Sequence, residues 1–453
     1  MKLTDLNRRG GIDANCLLLE IGPFRIAIDA GLSPKEAGNR ALPALDLAHD
    51  LPVDLILLTH CHLDHLGAMP VLMRHHPEST LVMSAPSKLL ARRMLQNSYN
   101  VMVRQREDEA ITEYPLYTRS EIERMGTRVF PLGFDQPRIF SSATGEALVV
   151  TFHPAGHIPG ASSITLEYKH RRIFITGDVL FADQAILKGA RLPRQRVDTL
   201  ILETTRGRTA RPAGTTRDTE AARFLQYIRT VHARGGSVLV PAFALGRMQE
   251  ILTLLHRAKL GGELPPVPVY ASGLGLDLVN HFEEISRKTG GCDFRRQVVK
   301  DLGVLPLPDE GNGAKLPRHR AVYILSSGMM VAKTPSYNAC AALLGNESNA
   351  IAFVGYCDPG TPAGKLLAAP VGAPFLFDAA DKRVDRLASV ERFDLSSHAE
   401  REELLDFAVS LEPRAVVLTH GDPGARQWFA AALAEALPKT AVLDPEPLRT
   451  YEV

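Results

Sequence analysis

The sequence predicts a layered α/β fold in which buried strands are covered by helices and chemistry collects at strand ends. Short β-branched or leucine-rich runs recur along the chain: FRIAID ending at Asp29, VDLILLTH at His60, LVVTFHPAGH at His157, RRIFITGD at Asp178, DTLILE at Glu203 and RAVVLTH at His420. Each run is continuously apolar rather than alternating, the pattern of a strand buried on both faces. Helical periodicity over 66–76, 216–234 and 399–410 supplies the covering layers. A polar residue closes every run, and loops at one edge of a sheet can bring such sequence-distant residues into a single site.

A chain of 453 residues exceeds one hydrophobic core, so two or three domains of about 150 residues each are expected. The 45% hydrophobic content is that of a soluble globular protein. No apolar run approaches the roughly 18 residues of a membrane span, and the opening MKLTDLNRRGGID lacks the apolar core of a signal peptide, so no membrane association and a cytoplasmic location are expected. Cys16, Cys61, Cys292, Cys340 and Cys357 form no CxxC pair, which argues against a disulfide framework or a cysteine zinc site and fits a reducing compartment. A net charge of +1 excludes the global basic field of a protein that coats nucleic acid. Any polyanion must be held locally, and KHRR (169–172), RLPRQR (191–196) and RGRTAR (206–211) are the candidate stretches. Solvated turns are the plain alternative for the first two.

Between Glu203 and His398, GGSVLVPAFALGRMQEILTLLHRAK reads as strand, turn and amphipathic helix, and VPVYASG, AVYILSSGMM and NAIAFVGY read as further strands. These suffice for a separate core and mark an inserted domain, with GGELPPVP (261–268) and LPLPDEGNGAKLPR (305–318) as exposed connections. The expected division is 1–207, an insertion over 208–385, and a return to the first domain over 386–453.

THCHLDHLGAMP (59–70) places His60, His62, Asp64 and His65 directly behind an apolar run. Imidazoles and a carboxylate crowded this way call for a cation, and nitrogen and oxygen donors suit zinc at about 2.0–2.2 Å. His60 and His62 alternate at a strand end and face one way; Asp64 and His65, one turn onward at a helix start, face a second position. That spacing serves two metals better than one. A pair about 3.5–4 Å apart needs further ligands including a bridging carboxylate, and His157, Asp178 and His420 are the obvious additions. Without a metal this set would leave buried polar groups unpartnered at a cost of several kcal/mol. By alternation Cys61 points the other way, as a small packed hydrophobe. His75 and His76, late in the following helix, are expected at the surface, and His153 has no required role.

HCHLDH is similar to the HxHxDH signature of the metallo-β-lactamase fold, and Asp29, His157 in AGHIPGAS and Asp178 in ITGD resemble its other motifs in order. The resemblance implies a four-layer αββα sandwich. It further implies that His60, His62 and His157 hold one zinc, that Asp64, His65 and His420 hold the other, and that Asp178 bridges the two Zn2+ with a water. Asp29 is carried over as the residue that positions the ligand loop. Glu203 in LETTRG, His398 in FDLSSHAE and His420 in VVLTHGD resemble the added motifs of the β-CASP nuclease branch, and VLVPAFALGRMQE, SSGMM and FVGY resemble segments of the α/β β-CASP domain inserted in that sandwich. RNA-acting members carry histidine at the third motif, where the DNA-acting branch commonly has an aliphatic residue, so His420 favours RNA. Two departures lie where substrate would pass: Arg206 replaces the usual tyrosine and no histidine follows it in RTARPAG, and VAKTPSYNAC replaces a small-residue run after SSGMM.

The implied function is zinc-dependent hydrolysis of RNA phosphodiester bonds, endo or exo, at a two-metal site between the domains, with Asp64, Glu203 and His398 as catalytic side chains. His398 is the expected general acid. An imidazole beside dications tends to lose its proton, and a hydrogen bond to Glu203 offsets that. Ser397 and Glu400 in SSHAE read as a capping box that puts His398 in the first turn of a helix, whose dipole opposes protonation. Ser397 and Arg247 are candidate substrate contacts. PAFALGRMQE offers helix N-terminal amides to a phosphate, and Arg247 either adds a guanidinium fork or pairs with an acidic neighbour. RNA is the expected partner, with a second copy or a partner chain beside it. The competing readings are a thioester- or lactone-cleaving small-molecule hydrolase, a DNA nuclease of the same branch and a noncatalytic binding subunit. The first would need neither the insertion nor His398 and Glu203, and the last would have lost its ligands.

Overall fold

A computed structural model of the chain describes residues 1–49, 52–307, 316 and 320–453. Most of the connection expected at 305–318 lies outside the described residues. The chain divides into two compact units, Met1–Asp183 with Lys188–Arg211 and His398–Val453, and Gln184–Leu187 with Pro212–Ser397.

The first unit is the four-layer α/β sandwich. Among the described residues one seven-stranded sheet runs, edge to edge, through Thr450–Glu452, Lys2–Asp5, Leu17–Ile21, Phe24–Ile28, Leu55–Leu57, Thr80–Ser84 and Val129–Leu132. The other runs through Ala441–Leu443, Ala415–Thr419, Thr199–Glu203, Arg171–Ile175, Ser162–Tyr168, Ala147–Pro154 and Arg138–Ser141. Their inner faces share one core, to which Leu19, Ile26, Leu57 and Val82 contribute from one sheet and Val150, Phe152, Ile164, Ile173 and Val417 from the other. All nine are fully buried. Each stabilises the fold by about 1.5–3 kcal/mol, and Phe152→Ala would cost about 3–5 kcal/mol. Helices Ala85–Glu109 and Arg119–Thr127 lie on the first sheet's side; Arg401–Ser410 and Pro423–Ala436 lie on the second's.

The second sheet's strands Arg171–Ile175, Thr199–Glu203 and Ala415–Thr419 are mutually parallel and in register. Their carboxyl ends therefore lie at one edge and lead to Asp178, Glu203 and His420.

Two local expectations are corrected. The helix expected over 66–76 is two helices, Leu63–Leu66 and Met69–His75. Pro70 lies in the first turn of the second, where its missing N–H costs nothing and its fixed φ favours a new start. His76 is not at the surface but 5% exposed; as C-cap it has φ −121° and ψ 68°, which takes its ring off the helical face.

The second unit is built on a parallel sheet of Leu305–Pro306, Val269–Ala271, Val322–Leu325, Val238–Pro241, Ala350–Phe353 and Ser389–Arg392. The runs VLVP, VYA, VYIL and AIAF are wholly buried, as strands covered by helices on both faces must be. No helix among the described residues is long and apolar enough to cross a membrane.

Candidate metal centre

The site is built from the loops that follow strands of the first unit. Behind Phe24–Ile28 the chain turns at Asp29, which adopts φ +60°. Its carboxylate accepts three bonds of 2.7 Å, from the Thr59 amide, the Thr59 hydroxyl and His65 Nδ1. One side chain thus fixes the start of the histidine loop and the ring of its last histidine, with His65 Nε2 turned inward. Gly31 lets this loop run close beneath the ligands: a Cβ there would lie 1.7 Å from the Asp64 carbonyl oxygen. Asn15 Nδ2 is 3.2 Å from both that carbonyl and His65 Nε2.

His60 Nε2 lies 3.1 Å from His62 Nδ1, and His157 Nε2 lies 3.0 Å from the same atom. Asp64 Oδ2 faces His65 Nε2 at 3.7 Å and His420 Nε2 at 3.6 Å. Between the two groups stands Asp178. Its Oδ2 is 3.6 Å from His60 Nε2, 3.6 Å from His65 Nε2 and 3.7 Å from His157 Nε2; its Oδ1 is 3.3 Å from His420 Nδ1. His420 takes φ +48° after its strand and is tied at Nδ1 to the Thr205 hydroxyl at 2.8 Å.

These residues fit a metal. Three imidazole nitrogens converge with separations close to the roughly 3.3 Å between donors of a tetrahedral cation. Asp178 Oδ1 and His420 Nε2 are buried without a hydrogen bond among the described residues, a condition native proteins rarely leave uncompensated. Donor atoms of His60, His62 and His157, of Asp64, His65 and His420, and of His60, His65 and Asp178 each lie within 4.8 Å of one another. The electrostatics show what a cation would replace: burial lowers the His65 pKa, but the carboxylates of Asp178, Asp64 and Asp29 outweigh it and raise it to about 10. Burial and the surrounding imidazoles push His60 far down, toward the neutral ligand form. Burial favours protonation of Asp178, but the imidazoles of His420, His65, His398 and His157 outweigh it and hold the carboxyl well below its usual range. Asp64 is held low in the same way.

Beside this cluster His398 Nδ1 is 3.1 Å from Glu203 Oε2, and His398 Nε2 is 4.0 Å from Asp178 Oδ2. Glu203 is 1% exposed; it also accepts from the Val179 amide at 2.7 Å and from the Thr205 hydroxyl, so it braces the Asp178 loop and His398 together. Burial lowers the His398 pKa, and the Glu203 carboxylate outweighs that and raises it.

The expected cap is corrected here. The helix is Arg401–Ser410 with Glu400 at its N-cap, and the Glu400 amide donates to Glu403 at 3.0 Å. The Ala399 amide donates to the Val179 carbonyl at 2.6 Å, which holds 397–399 outside the helix. Ser397 is not the cap, and His398 is not in the first turn. Of the two alternatives for Arg247, the structure shows the acidic neighbour. Arg247 is 5% exposed in the second unit and pairs with Glu250, which also binds Arg217 at 2.5 Å. His153 is tied to Asp135 and Thr165 at 2.6 and 2.8 Å, and Cys61 is a fully buried thiol donating to the Ser87 carbonyl. Sequence reasoning missed Asn15, Thr59 and Thr205. Thr59 and Thr205 adjoin recognised motifs, whereas Asn15 has no local signal.

Residues 9–225 match the metallo-beta-lactamase superfamily, 248–366 the Beta-Casp domain and 383–443 the Zn-dependent metallo-hydrolase RNA specificity domain. The chain is 27% identical to Cleavage and polyadenylation specificity factor 73 of Drosophila melanogaster, over 98% of its own length and 63% of that protein's, so it spans less than two-thirds of this relative. It is 24% identical to Probable RNase MJ4 of Methanocaldococcus jannaschii over 91% of both chains. A crystal structure of a protein of unknown function from Enterococcus faecalis V583 matches over 99% of both chains with a TM-score of 0.52 and 13% identity, a likeness of fold alone.

Proposed function

Because the chain belongs to the metallo-β-lactamase superfamily and its β-CASP branch, we propose that it is a zinc-dependent ribonuclease that hydrolyses RNA phosphodiester bonds at a two-metal centre. The observation that carries this reading is the position of Asp178, whose carboxylate faces both donor groups at 3.3–3.7 Å. His60, His62 and His157 would hold one ion and Asp64, His65 and His420 the other, with Asp178 shared. Bound there, two divalent cations supply Lewis acidity toward water and neutralise charge on a phosphate oxygen. The match of 383–443 to an RNA specificity domain, which includes His398 and His420, supports RNA as the substrate.

The chain's own residues do the rest. Asp29 holds His65 with Nδ1 protonated, so the lone pair of the neutral ring lies on Nε2. Glu203 accepts from His398 Nδ1 and keeps the ring charged and oriented. The proton on His398 Nε2 then passes to the leaving oxygen as the P–O bond breaks. A cytoplasmic location is part of the proposal, supported by five buried cysteines that are all free thiols.

The test is cleavage of end-labelled RNA bearing 5′-monophosphate, triphosphate or hydroxyl ends by the purified chain and by Asp178→Ala. Cutting that depends on Asp178 is the expected result. Intact RNA with every 5′ end would overturn the reading.

A further inference from the structure

The three parallel strands that deliver Asp178, Glu203 and His420 at their carboxyl ends carry a different chemistry at their amino ends. Arg171 opens one, Asp198 directly precedes the next and Arg414 the third. Lys169 and His170 form the turn before Arg171, with Lys169 at φ +54°. An open cleft of about 370 Å³ lies here, where Lys169, Arg171, Arg172, Arg196 and Arg414 face only two carboxylates among the described residues, Glu167 and Asp198. Two stretches far apart in sequence, KHRR and the end of RLPRQR, thus meet a third cation from beyond the insertion. A second cleft of about 430 Å³ continues past Lys169, Arg171 and Arg414 to Tyr168.

The cations are available. Arg196 is exposed and makes no ion pair or hydrogen bond among the described residues. Arg414 is 75% exposed and only 3.4 Å from Asp198, and Lys169 is 63% exposed beside Glu146. Exposed pairs of this kind contribute little to stability and exchange readily for another anion. Arg171 and Arg172 form a half-buried floor, Arg172 held in a fork on Glu167 at 2.6 and 2.9 Å.

We propose that this cleft is a docking surface for the phosphate backbone of single-stranded RNA, engaging a part of the strand remote from the metal centre. The inference rests on the ribonuclease reading for its choice of RNA. The chemistry of the lining favours a nucleic acid over an acidic protein: among the described residues of the first cleft Val197 is the only aliphatic side chain, whereas protein interfaces are anchored by buried apolar and aromatic groups. An excess of cations on a polar surface is what phosphates require. The strands set the distance. Thr199–Glu203 and Ala415–Thr419 each have 5 residues, so the two edges stand on the order of 15 Å apart. Only an RNA longer than the segment lying across the metal centre engages both.

The experiment is fluorescence anisotropy with labelled RNA of 8 and 40 nucleotides, in a His398→Ala background with the RNA checked for integrity on a gel. Lys169→Glu, Arg196→Glu and Arg414→Glu together should weaken binding of the long RNA at least tenfold and the short RNA by much less. The salt dependence for the long RNA should fall by about 2, near 0.7 for each of three phosphates no longer neutralised. The corresponding triple Gln variant, whose milder loss should rank between, guards against misfolding by charge reversal, and both are compared by thermal unfolding. Unchanged affinity and salt slope for the long RNA would overturn the proposal. So would loss of polyglutamate binding with RNA binding intact, which would give the surface to an acidic protein. If the wild type cuts no RNA yet binds the long strand through these residues, the ribonuclease reading fails and the docking surface stands; if it cuts RNA and the triple variants bind normally, only the docking surface fails.

Discussion

Glu203 and His398 are separated by 195 positions and meet at 3.1 Å, with the carboxylate oxygen on the imidazole Nδ1. The opposite ring nitrogen is turned toward Asp178 at 4.0 Å. A buried carboxylate on one face and the donor cluster on the other give this histidine two distinct sides, the arrangement that the proposed general acid requires.

His398→Ala should therefore keep metal content and RNA binding while slowing cleavage by about 10² to 10⁴-fold, the range of a general acid. The deciding comparison uses a nitrophenyl phosphodiester, whose leaving group needs no proton. Nearly equal turnover of that substrate by variant and wild type is expected. An equal loss on both substrates, or loss of metal, would make His398 a ligand or a structural residue.

Elemental analysis of the chain purified without chelator should find about two zinc ions per chain, as a shared-carboxylate two-metal site requires. Asp178→Ala should lower the count of both, because its carboxylate faces both donor groups. Full activity with one tightly held ion would end the two-ion account.

Asp29→Asn addresses a residue that touches no proposed metal position. Its three 2.7 Å bonds hold Thr59 and His65, and loss of such support typically weakens metal affinity by about 10- to 100-fold. Competition with a zinc chelator should show that weakening with secondary structure unchanged by circular dichroism; an unaltered chelator curve would refute the supporting role.

Asp5 supplies a pH dependence away from the centre. Burial pushes its carboxyl up to about 6, above the roughly 3.9 of an unfolded aspartate. The folded state thus favours the protonated acid: the stability this contributes is fully present below about pH 4 and is lost as pH rises through about 6. Two pKa units correspond to about 3 kcal/mol. The stability of wild type minus that of Asp5→Asn should fall by about that amount between pH 4 and pH 8 in denaturant titrations, and parallel curves would contradict the assignment.

Much of the candidate site was legible because its signals are local. HCHLDH, ITGD, LETT and VVLTH each follow a continuous apolar run, and a buried parallel strand must be written as such a run whatever it later pairs with. The side-chain types, nitrogen and carboxylate donors without thiol pairs, determined which cations would suit them. The tertiary structure decided what depends on a partner distant in the chain. His398 lies outside the helix because the Ala399 amide is taken by the Val179 carbonyl, more than two hundred positions earlier. Arg247 is buried on Glu250, which it shares with Arg217, and Asn15 reaches His65 across 50 positions. KHRR reads in sequence either as a local polyanion contact or as a solvated turn, and becomes one wall of a cationic cleft when Arg196 and Arg414 arrive at the same strand edge. Periodicity records which face of an element is apolar; which residues meet across elements is set by sheet order and register, and those follow from packing of the whole domain rather than from any single stretch.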